Sequence, residues 1–160
     1  MGRHAVQAVP VALLRIIEDG RALVSTEGTI AWNRKGPTVL EGHLPVSIAA
    51  DGCDAAYLGM TLWSQRPSQI GLRFMMNSVP VLRVDVNGKH DSLPRSTHSH
   101  RYNAMTGKDD RIEILDNFVD VPMAPTIPLG TERKCFEVFA NMANVQLNGT
   151  YWTDPWRGGR

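Results

Sequence analysis

A chain of 160 residues with 42% apolar and 21% charged side chains has the balance of one folded domain, which excludes disordered and fibrous classes. A net charge of +1 excludes the large basic excess of a general nucleic-acid binder, so any RNA contact has to come from a local patch. Cys53 and Cys135 lie far apart and fit neither a disulfide framework nor a zinc ribbon. They read as buried free thiols of a reducing compartment.

Residues 10–18 suit a short helix, with Pro10 in the first turn and Leu13, Leu14, Ile16 and Ile17 on one face. Asp19-Gly20 stops it. The apolar run 9–17 is too short to span a bilayer, and no small-residue cleavage site follows. The expected location is therefore cytoplasmic, with no membrane partner. Beyond residue 20 the period shortens towards two. Residues 22–25, 29–33, 39–50 and 57–63 read as strands, separated by Glu27-Gly28, Lys35-Gly36-Pro37 and Asp51-Gly52. Pro45 is expected to split the third run or push it to an edge.

The clearest hairpin is 70–76, a turn at Asn77-Ser78, then 79–86. In its second strand Arg83 and Asp85 face away from Leu82, Val84 and Val86. Asn87-Gly88 reads as a second turn. Residues 111–115 form a later strand. Pro122, Pro125 and Pro128 make 121–129 an extended linker. A helix then opens at Gly130-Thr131, with Thr131 as its cap and Cys135, Phe136, Phe139, Met142 and Ala143 as its apolar stripe. The sum is an α+β fold: a mainly antiparallel sheet packed by a short N-terminal helix and a C-terminal amphipathic helix. Residues 1–150 form its single domain, and 151–160 read as a flexible tail.

Titratable, nucleophilic and cationic side chains crowd together over residues 85–102. His98-Ser99-His100 is a His-x-His pair whose imidazoles share one side of a strand, and Tyr102 joins them there. Thr97, Ser99 and Arg101 face the other way. Two chemistries fit. One is metal-free phosphoryl transfer on RNA, with His98, His100 and His90 as acid and base, Asp85 orienting an imidazole, Arg101 or Arg95 steadying phosphate charge and Tyr102 positioning substrate. The other is a metal site made by His98, His100, His90 and Asp85 or Asp91. The bland alternative, histidines solvated at a strand edge, carries about half the weight for an isolated His-x-His. His4 and His43 read as surface residues. Trp32, Trp63, Trp152 and Trp156 suit core or interface packing before a base-stacking platform.

The run Leu82-Arg83-Val84-Asp85-Val86-Asn87-Gly88, then His90, then His98-Ser99-His100-Arg101-Tyr102, resembles small bacterial toxin-like and phage-defence proteins with an LRxDxxG-x-H…HxHxY motif. The resemblance spans residues 70–145. Asp91-Ser92-Leu93-Pro94 stands where that family carries Asn-Pro-Asp-Gly. The resemblance implies a toxin-type α+β domain acting on RNA, with Asp85, His90, His98, His100 and Tyr102 at its site and an antitoxin or host complex as partner. The leading expectation is a toxin-like protein that cleaves or modifies RNA at a His-x-His acid/base site, as a metal-independent ribonuclease would, without cofactor. The alternatives are a non-catalytic phage or mobile-element inhibitor of a host complex, and a metal-dependent hydrolase.

Overall fold

The hairpin that the sequence marks most clearly is the centre of the sheet. β5 (Ile70–Met76) and β6 (Val79–His90) meet at Asn77 and Ser78, whose φ values of 48° and 65° give the doubly left-handed turn that matches strand twist. Alternation then sorts the side chains. Ile70, Leu72, Phe74 and Met76 of β5 are buried, as are Leu82, Val84 and Val86 of β6. Gly71, Arg73, Arg83 and Asp85 lie on the opposite face.

The computed structural model describes residues 9–19, 24–48, 53 and 55–156. It is an α+β domain with an antiparallel sheet and helices near both ends of the chain. In chain order these are α1 (Val11–Asp19), β1 (Val24–Thr26), β2 (Ala31–Arg34), β3 (Val39–Ile48) and β4 (Ala56–Trp63), followed by β5 and β6. Then come β7 (Leu93–Asn103), β8 (Lys108–Ile114), α2 (Thr131–Met142) and β9 (Val145–Gln146). The sheet runs β8-β7-β6-β5-β4-β3-β1-β9, with β2 also on β3. The six strands from β3 to β8 form a meander, and β1 with β9 is a parallel pair. None of the described helices is long and apolar enough to cross a membrane.

Pro45 neither splits β3 nor moves it to an edge. β2 covers one side of β3 as far as His43 and β1 takes over from Val46, so Pro45 sits at the changeover, where no N–H is required. Its carbonyl still accepts from Glu27 N–H at 3.2 Å.

The stripe of α2 packs on the inner face of the sheet. Cys135, Phe136 and Phe139 are fully buried there. Truncating either phenylalanine to alanine costs about 3–5 kcal/mol. Thr131 does not cap the helix. Gly130 takes the cap position with φ 82°, and the Thr131 hydroxyl donates to the Pro128 carbonyl at 2.6 Å. Residues 151–156 are not a free tail. Ile30 N–H donates to the Tyr151 carbonyl at 2.8 Å, Trp32 Nε1–H donates to the Thr153 carbonyl at 3.0 Å, and Trp156 Nε1–H donates to Glu132. Residues 157–160, His4 and Gly20 lie outside the described residues, as do parts of the strand runs expected at 22–25 and 39–50.

Candidate metal centre

β6 does not end at Asn87-Gly88. It continues to His90, and the turn falls at Asp91-Ser92 instead. Asp85 faces His98 and Arg83 faces His100 across β6 and β7; the register then slips, so that Gly88 faces Ser96. Three steps on β6 match two on β7, which makes a β-bulge. Asn87 takes the left-handed conformation at φ 52°. Its amide Nδ2 donates to the carbonyls of Ser68 (3.0 Å) and Val121 (2.8 Å), and its backbone N–H donates to Thr97 Oγ1. A turn signal in the sequence is thus an anchored bulge in the fold.

The bulge builds the site. Residues 85 and 90 are an odd number apart, so strict alternation would put them on opposite faces. The extra residue restores them to one face. His90 packs its ring on His98 and His100 at centroid distances of 5.6 and 5.4 Å, and those two lie 5.1 Å apart. Gly88 is required here: a Cβ at that position would lie 2.9 Å from Asp85 Cβ and 3.3 Å from His98 Cε1.

Three donor groups converge. Asp85 Oδ2 is 3.6 Å from His98 Nε2 and 3.3 Å from His100 Nε2. The ligand atoms of Asp85, His98 and His100 all lie within 4.8 Å of one another. Donors held at about 2.0–2.2 Å around a tetrahedral zinc-like ion sit about 3.4 Å apart, close to the two distances seen. His98 is completely buried and His100 is 4% exposed, yet among the described residues neither Nε2 has a hydrogen-bond partner. Buried polar atoms without partners are costly and call for a ligand. His98 Nδ1–H donates to the Ser96 carbonyl at 3.0 Å, which turns Nε2 towards Asp85. That second hydrogen bond is the usual way a protein orients a metal-binding imidazole.

The electrostatics favour neutral imidazole at His100. Burial lowers its pKa first, and the Arg83 guanidinium lowers it further, while Asp85 opposes both. A neutral ring is the form that binds metal. Arg83 borders the cluster, with Nη2 3.9 Å from Asp85 Oδ2 and Nε 3.4 Å from Asp109 Oδ2.

The other sequence candidates are distributed around this core. His90 touches it by ring contact only. Its Nδ1 accepts from Ser92 N–H at 3.2 Å, so the neutral ring carries its proton on Nε2 and stands beside the three converging ligands as a donor. Asp91 is exposed in the turn. Arg95 is exposed and donates to the Asn87 carbonyl at 3.1 Å, bracing the bulge. Tyr102 is buried within the hydrophobic core. Arg101 points the other way, into a cleft of about 680 Å³ that it lines with Arg111, Glu113 and Met142. Sequence reasoning missed Gly88 and Asp109, and it missed Arg83 as a neighbour of the centre. The only signal for Gly88 was a dipeptide that reads equally as a turn.

These contacts correct the expectation of a metal-independent enzyme. Both histidines aim the same nitrogen at a single carboxylate oxygen, forming a His/His/Asp cluster capable of coordinating a metal ion. No protein-family model matches the chain, and comparisons with curated proteins and with solved structures gave no match.

Proposed function

We propose that this protein is a metal-dependent hydrolase whose divalent ion is held by His98, His100 and Asp85. The observation that carries the reading is the pair of buried, partnerless Nε2 atoms facing one carboxylate oxygen. Two imidazoles with one carboxylate suit zinc, iron or manganese, and three protein ligands leave a position for chemistry. A divalent ion there would polarise a substrate oxygen and bring the pKa of water towards about 7.

The chain's own groups do the rest. Ser96 fixes the His98 ring, and the Asn87 bulge with Gly88 gives Asp85 room to approach it. Asp85 and Arg83 keep 33% and 39% of their side chains exposed, so the centre opens on that side. His90 packs its ring against both histidines beside the centre. RNA is the phosphodiester that the motif resemblance suggests as a substrate.

The test is hydrolysis of bis(p-nitrophenyl) phosphate and p-nitrophenyl acetate, with metal content measured on the same samples. Activity lost to a chelator, restored by zinc or manganese and absent from His98→Ala/His100→Ala supports the reading. A wild-type protein that binds no metal, or hydrolysis indifferent to the chelator, refutes it.

A further inference from the structure

Four glycines lie inside the described strands, and three have a reason within the fold. A Cβ on Gly42 would meet Trp32 and Ile30 at 2.6–2.7 Å; on Gly59 it would meet Arg73 at 2.9 Å; on Gly88 it would meet Asp85 at 2.9 Å. Gly71 differs. The nearest atoms to a Cβ there are Trp63 at 3.5 Å and Thr61 at 3.6 Å, which is ordinary contact. Among the described residues nothing in the packing demands glycine, and glycine weakens a strand interior unless something approaches the backbone. Gly71 pairs directly with Asp85, so its backbone, edged by the Trp63 ring and Thr61, forms a floor beside a metal ligand.

The charges around that floor point to an anion. Arg73 and Arg83 stand directly opposite each other on β5 and β6, and like charges in that position repel. Arg73 reaches away to Thr61 Oγ1 (3.0 Å), His43 Nε2 (3.0 Å) and Glu41 (3.6 Å). Arg83 stays at the centre, within 3.9 Å of Asp85. Among the described residues, and setting the histidines aside, the ion pairs of this face join three cations, Lys35, Arg73 and Arg83, to three carboxylates, Glu41, Asp85 and Asp109. They balance. A divalent ion on Asp85 would leave the face two charges positive and Arg83 with Asp109 as its remaining carboxylate.

We infer that the centre takes an oxyanion, the phosphate or carboxylate of its substrate, bound between the metal and the Arg83 guanidinium over the Gly71 floor. The inference rests on the metal reading above. Arg83 supplies charge-assisted donors, and the guanidinium fork suits the paired oxygens of either group. Gly71 leaves room beside Asp85 that a larger side chain would fill.

The experiment is calorimetric titration of the zinc-loaded protein with inorganic phosphate and, separately, acetate. The proteins are wild type, Arg83→Gln, Arg83→Lys and Gly71→Val, with zinc stoichiometry and thermal stability recorded for each. The expected result is phosphate or acetate binding by wild type, weakened about tenfold or more in Arg83→Gln and partly kept in Arg83→Lys. Gly71→Val loses the anion while keeping zinc. Tighter phosphate than acetate assigns a phosphate ester, and the reverse assigns a carboxylate. Full zinc loading with no anion bound, or anion affinity unchanged in Arg83→Gln and Gly71→Val, overturns this inference and leaves the metal centre standing. Failure of wild type to bind zinc overturns both.

Discussion

Two histidine clusters sit on the same face of one sheet, and they differ in what they leave unsatisfied. In the first, His43 Nε2 meets Arg73 at 3.0 Å, Glu41 lies near both, and the ring packs on Tyr57 at 4.6 Å. Every group there has a partner inside the protein. In the second, His98 and His100 are more deeply buried, and among the described residues their Nε2 atoms meet only a shared carboxylate oxygen beyond hydrogen-bonding geometry. Burial without satisfaction is costly, so a fold keeps it where a ligand supplies the missing bonds. The contrast teaches that histidine content alone does not mark a site; buried nitrogens left without a partner among the described residues do.

The comparison breaks most sharply by substitution of the ligands. Asp85→Asn, His98→Ala and His100→Ala should each lower metal affinity more than about 100-fold, beyond the range typical of outer-shell partners, as read by equilibrium dialysis. Replacing His43 by alanine should leave metal affinity unchanged. A metal loss of equal size at His43 would erase the distinction between the clusters.

A smaller effect is expected from Gly88→Ala. The added methyl meets Asp85 Cβ, so metal affinity should fall and stability should drop by about 1–3 kcal/mol, measured by denaturant unfolding. Unchanged values for both would show that Asp85 has room the structure does not give it.

The smallest effect concerns acid. Burial first, then Arg73, lowers the pKa of His43 from 6.5. The unfolded chain therefore takes up a proton at His43 before the folded one does. Stability from this group is fully present above pH 6.5 and declines as pH falls from 6.5 through the folded pKa. His43→Gln should flatten that part of the pH–stability curve in metal-free protein. An identical slope in the variant would show that the ring is not held neutral by its neighbours.

Much of the fold was legible because it follows from alternation and turn chemistry. The 70–86 hairpin declares itself through Asn77 and paired apolar runs, and α2 through its Phe136 and Phe139 stripe. The site was legible in part. Asp85, His98 and His100 stand out as residue types, but their meeting depends on cross-strand register, which no local pattern reports. Asn87-Gly88 carries the same residues whether it makes a turn or a bulge, and only contacts from Ser68 and Val121, distant in sequence, decide it. Tyr102 and Arg101 fell to parity and burial: one is locked in the core, and the other opens on the cleft beside Met142. The docked segment 151–156 was hidden because its Pro155 suggested fraying, while its anchors, Ile30, Trp32 and Glu132, lie far away in sequence.

Cobalt(II) titration of the metal-free protein, followed by visible absorption, tests the central claim most directly. One equivalent should produce the intense bands of a low-coordinate site with nitrogen and oxygen ligands. Asp85→Asn and His98→Ala/His100→Ala should abolish those bands, and His43→Ala should preserve them. A wild-type protein that gives no bands, or variants that give them undiminished, would contradict the assignment of His98, His100 and Asp85 as a metal centre.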